Sequence, residues 1–209
     1  HLTEVGNDGQ LRPELAESYE ASADAATWTF KLRKGVEFHN GKTMDADDVI
    51  ASFNHHRGED TKSAAKGLLT SVKDIKKADK NTVIFELDSG SADWPFIVSD
   101  YHLPIYPNKD GKMDWQSQAG TGGYIIENYE PGVRFIAKKN PNYWKSGHAH
   151  FDGIETTIVA DATARQQALM TDQVDCIDDV SAPTANLLKR NQQLELLAIT
   201  GTMHRVFAM

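Results

Sequence analysis

The side chains with the plainest capacity for chemistry stand in the hexapeptide GHAHFD, where His148, His150 and Asp152 alternate. Two imidazoles and a carboxylate form a donor set for a transition metal, and on a strand the period of two would turn all three to one side. The preceding NPNYWKSG is rich in turn formers, so a solvated loop with no bound metal is expected there. His55 and His56 are neighbours in the chain; on a helix their side chains diverge by about 100° and share no ion. GTGGY, at 120–124, has the glycines of a phosphate loop but neither its Lys-Ser/Thr pair nor a helix to follow. A tight turn is its expected use. Asp172, Asp175, Asp178 and Asp179 miss the spacing of a calcium loop and are expected to cap or solvate a strand. No nucleophile elbow and no glycosidase-type carboxylate pair can be identified.

The elements that would position any such group are clearest between residues 27 and 53. Trp28, Phe30 and Leu32 alternate with Thr29, Lys31 and Arg33, the pattern of a half-buried strand. Gly35 breaks it, Val36 and Phe38 resume it, and Asn40-Gly41 supplies a turn. Asp45 then stands as the N-cap of a helix, with Asp48 closing a variant capping box and Met44 and Val49 placed as a hydrophobic staple. Residues 74–87 read as a hairpin turning at ADKN, SADWPFIVSD as a short helical turn, and YHLPIYPNKDGK as extended chain entering a surface loop. Strands at 124–129 and 133–138 meet at Pro131-Gly132 in a second hairpin. From 154 the texture changes: strand 154–159, helix 162–170 capped by Asp161, strand 174–177, helix 183–190 with Pro183 at its first position, and strand 194–199. That alternation predicts a βαβ layer.

The chain has 209 residues, a little over one domain by the usual prior of about 150 residues. Its 22 basic and 30 acidic residues give a net charge of −8 with no basic block, which argues against nucleic acid or an anionic membrane as partner. Cys176 is the single cysteine, so neither a disulfide framework nor a multi-cysteine zinc site is available. No apolar run approaches the roughly 20 residues that span a bilayer, and HLTEVGNDGQ lacks the regions of a signal peptide. The start inside an apparent element and the apolar end LLAITGTMHRVFAM read as those of a fragment.

Five segments in order, LRPELAESYE (11–20), residues 27–53, GTGGYIIENYEPG (120–132), KKNPNYWK (138–145) and ARQQALMTDQVDCID (164–178), resemble family 5 extracytoplasmic solute-binding proteins, which serve ABC importers of oligopeptides, dipeptides and nickel. Gly123 stands where the family usually has proline and Asp45 where it usually has threonine; both changes preserve a turn or a cap. Members are usually more than twice this length, so the resemblance implies a partial chain of an α/β, mixed-sheet, type II periplasmic-binding-protein-like fold. Residues 1–155 would form a smaller antiparallel-rich subdomain and 156–209 part of ligand-binding lobe 1, with lobe 2 absent. The implied function is that of a periplasmic, or extracellular and lipid-anchored, receptor without enzymatic activity or cofactor. It would deliver a peptide or similar small solute to an ABC permease by closing over it. The rival readings are a metal-dependent hydrolase using His148 and His150, and a nickel or haem receptor on the same fold. By correspondence with relatives, Tyr101 and His102 after the WPF turn, and Thr202, His204 and Phe207 near the end, would face the ligand. SDYHLP sets aromatic and polar groups on irregular chain, where binding residues concentrate.

Overall fold

The computed structural model describes residues 1–198. Strands β1 (Thr3–Val5) and β2 (Leu11–Pro13) pair in a short antiparallel ribbon, and β3 (Ala16–Ala21) and β4 (Thr27–Leu32) continue the chain into a sheet. In β4 the alternation holds: Trp28, Phe30 and Leu32 are buried. Gly35 and Gly41 take positive φ at the breaks the sequence marks, and the helix α1 (Ala46–His55) begins at the capping box of Asp45 and Asp48. Met44 and Val49, the staple pair, are fully buried. The hairpin of β5 (Val72–Asp79) and β6 (Thr82–Leu87) inserts β6 beside β4, giving the antiparallel order β3-β4-β6-β5. Its turn also anchors the helix start, because the Ala46 N–H donates to the Lys80 carbonyl at 2.9 Å.

The core lies where this sheet meets α1 and the short helix α2 (Trp94–Ile97). Phe85 is its hub, with ring centroids 4.9 Å from Phe53, 5.2 Å from Trp94 and 5.5 Å from Phe30.

Beyond α2, NKDGK is more ordered than its composition predicts. It forms a small hairpin of β7 (Asn108–Lys109) and β8 (Lys112–Met113), in which Asp110 and Gly111 both take positive φ, the mirror-image turn that matches strand twist. The second hairpin, β9 (Tyr124–Glu130) and β10 (Arg134–Lys139), forms as expected, with a bulge at Ile136/Ala137.

The βαβ expectation needs correction. The strand β11 (Gly153–Thr157) pairs antiparallel with β10, so it completes a three-stranded sheet β11-β10-β9 rather than opening a parallel layer. Helices α3 (Ala162–Met170) and α4 (Ala182–Leu188) are present, capped by Asp161 and Ser181, and Pro183 occupies the second helical position of α4, not the first. Residues 174–177 and 194–198 form no strand. The alternation in VDCID reads as a strand, yet a strand exists only where a neighbour takes its N–H and C=O groups. Every strand pairing among the described residues is antiparallel.

Candidate functional site

Tyr101 and His102 sit on a turn held from behind by buried contacts. Trp94 is fully buried, and the buried Thr3 hydroxyl donates to the Pro95 carbonyl at 2.6 Å, tying α2 to β1. Val98, Leu103 and Ile105 enter the core on either side of the turn. Asp100 closes it: the Leu103 N–H donates to the Asp100 carbonyl at 2.9 Å, and the Asp100 carboxylate accepts from the His102 N–H at 2.9 Å and from its Nδ1 at 2.8 Å. With Nδ1 committed to the carboxylate, Nε2 is the nitrogen left for a ligand. Tyr101 is 76% exposed and its ring centroid lies 3.8 Å from that of His102. The pair therefore offers an aromatic surface beside an oriented imidazole, on irregular chain of the kind where contact residues concentrate.

Behind the turn lies His56, buried at the end of α1, with Nδ1 2.6 Å from the Ser63 hydroxyl. Burial, then the positive charges of His55 and His102, push its pKa down to about 4. The ring is thus neutral in the folded protein near neutral pH. Between pH 6.5 and 4 the unfolded chain takes up a proton that the folded site excludes, so this residue's contribution to stability falls with pH across that window. The expected loss is on the order of 2 kcal/mol. Denaturant midpoints at pH 7 and pH 4.5 check it: His56→Gln should gain on the parent protein as pH falls.

The other histidine sites take ordinary roles. His148, His150 and Asp152 are exposed, and Gly147 and Ala149 both take positive φ, so this stretch is a loop and not a strand with three groups on one side. His148 Nδ1 donates to the Ser146 carbonyl at 3.0 Å. His55 and His56 have rings inclined at 86°, and His55 is exposed while His56 is buried. Two carbonyls of GTGGY are taken up by neighbouring segments: Gly120 accepts from the His39 N–H at 2.9 Å, Gly122 from His39 Nε2 at 2.9 Å and from Asn140 Nδ2 at 3.0 Å. The loop is a bracket between two segments. A Cβ on Gly123 would lie 2.9 Å from that of Ala149 and 3.2 Å from the Tyr143 ring, so at this departure from the family's proline the packing suits glycine.

A concavity of about 550 Å³ lies beside the C-terminal end of α1, lined by His55, Arg57, Thr61, Lys62 and Ser63. Its cationic residues suit the carbonyls of a helix end, and Arg57 is already committed to Asn54 and to the carbonyls of Val72 and Lys73. It holds no grouping that improves on the Tyr101–His102 turn. Thr202, His204 and Phe207 lie outside the described residues. Asp48 is more than the cap its position in the sequence predicts: it also accepts from Lys42 Nζ and, at 2.6 Å, from the Asn108 N–H, a link across 60 positions with no local signal.

The sequence model described as "Bacterial extracellular solute-binding proteins, family 5 Middle" matches residues 10–209. The chain belongs to this family. It is 27% identical to Di/tripeptide-binding protein 1 of Pseudomonas aeruginosa, covering 96% of this chain and 42% of that one. It is 30% identical to the glutathione-binding protein GsiB of Shigella flexneri, covering 96% and 40%. Among solved structures, AgaA of A. tumefaciens R10 in complex with agropinic acid superposes with a TM-score of 0.83 at 30% identity, covering 91% of this chain and 40% of that one. The family 5 chain thus has a periplasmic-binding-protein fold and spans about 40% of the length of the curated relatives it matches.

Proposed function

We propose that the protein is a solute-binding receptor that hands a peptide or a similar small solute to an ABC importer permease, in the periplasm or, lipid-anchored, outside the cell. The observation that carries this reading is the family match over residues 10–209 together with an exposed Tyr101 beside a half-buried His102. The ligands of its relatives, di- and tripeptides, glutathione and agropinic acid, all bear carboxylates, which supports a small peptide-like acid as the solute. The receptor binds and releases without chemistry, the solute favouring a closed state by contacts made only there. Residues 1–155 act as the smaller, antiparallel-rich subdomain and 156–209 as part of the ligand-binding lobe. Tyr101, His102, Thr202, His204 and Phe207 contact the solute. A nickel or haem receptor on this fold is the second reading, favoured by an imidazole whose Nδ1 is held by a carboxylate at 2.8 Å, the support that metal-binding histidines commonly have.

A thermal-shift screen of the complete protein against small peptides, opines, glutathione, haem and nickel chelates identifies the solute, because a ligand of the native state raises the melting temperature. With that solute, Tyr101→Ala and His102→Ala should each weaken binding by on the order of 1 kcal/mol or more while the fold stays intact. Unchanged affinity in both variants removes the turn from the site.

A further inference from the structure

No residue of β9, β10 or β11 belongs to the apolar core that joins the four-stranded sheet, α1 and α2. Something other than shared apolar burial must seat the three-stranded sheet on the rest. The GTGGY bracket to His39 supplies part of it and the loop after β10 the rest. Lys145 Nζ lies 2.9 and 3.0 Å from the two carboxylate oxygens of Glu4 in β1, and 2.6 Å from Glu14 Oε2, just before β3. Beside it, the Trp144 ring packs against the core, with the Arg33 guanidinium 5.1 Å and the Lys145 ammonium 5.6 Å from its centroid. Arg33 Nε in turn donates to the Glu14 carbonyl at 2.5 Å.

We propose that Lys145 is an electrostatic latch: one ammonium, shared by Glu4 and Glu14, seats the three-stranded sheet on the first strands, and its loss frees that sheet to shift against the four-stranded one. The cluster is sheltered enough for charge to matter, the Lys145 and Glu14 side chains being 22% and 14% exposed and Glu4 38%. Burial works against the ammonium, but the hydrogen bonds to Glu14 and Glu4 outweigh it and hold its pKa above the ordinary lysine value. Its removal leaves two carboxylates facing one another across the space of a single nitrogen, so the latch becomes a repulsion.

Hydrogen–deuterium exchange on the complete protein tests this. In Lys145→Met, amides of β9–β11 should exchange about tenfold faster while those of β3–β6 keep their rates, and Lys145→Arg should restore protection. Glu4→Gln combined with Glu14→Gln removes the anions without opposing them, and should loosen the same sheet even if Lys145→Met does not fold. Unchanged exchange in β9–β11, or equal acceleration in both sheets, overturns the proposal.

Discussion

Asp48→Ala is expected to lower the stability of the protein by about 3 kcal/mol, several times the effect of an ordinary cap substitution. The carboxylate is fully buried and accepts from three donors: Lys42 Nζ, the Asp45 N–H at 2.9 Å and the Asn108 N–H at 2.6 Å. Alanine strips two backbone N–H groups of their acceptor and leaves the Lys42 ammonium, 37% exposed, to find water. Asp48→Asn keeps the shape but turns an amide NH₂ toward one of the donors, so it should recover only part of the loss. Asp45→Ala, by contrast, should cost about 1 kcal/mol, since it removes the outer half of the capping box alone. Denaturant unfolding gives the three values. Exchange at residues 108–113 separates the tie to that hairpin from the effect on α1, and Asp45→Ala should leave the hairpin protected.

The second large effect belongs to Phe85. Truncation to alanine is expected to cost about 3–5 kcal/mol, because its ring is fully buried and meets three other aromatic rings. Two of those contacts are edge-to-face, at 81° to Phe30 and 68° to Phe53, so the loss includes ring–ring attraction as well as a cavity. Phe85→Leu keeps most of the volume and should fall well short of that cost. Calorimetric melting temperatures distinguish the two. A loss below about 1 kcal/mol for Phe85→Ala would show that the sheet and the two helices do not share this hub.

What was legible in the sequence follows from how local each signal is. The alternation of Trp28, Phe30 and Leu32 and the Asp45–Asp48 box act within a few residues, and both hold in the structure. The irregular surroundings of Tyr101 do not decide between core and surface, and the structure leaves it 76% exposed, while the anchoring of its turn by Thr3 and Pro95 spans 92 positions and has no local signal. The same is true of Lys145, whose partners lie 141 and 131 residues away. The strand expected at 154–159 forms over Gly153–Thr157, but alternation carries no information about which neighbour a strand takes or in which direction; the antiparallel partner is β10. VDCID carries the same pattern without a partner among the described residues and forms no strand. Local rules therefore located the scaffold, whereas the ties that set its geometry are long-range and polar.

A receptor of the kind proposed captures its solute without chemistry, and one titration tests whether this protein does so. The solute identified by thermal shift is added to the complete protein in a calorimeter, and the bound material is then released by denaturation and identified by mass spectrometry. Saturation at one solute per protein and recovery of that solute unaltered are expected. Recovery of cleaved or otherwise converted product, growing with time and enzyme-like in amount, would contradict it.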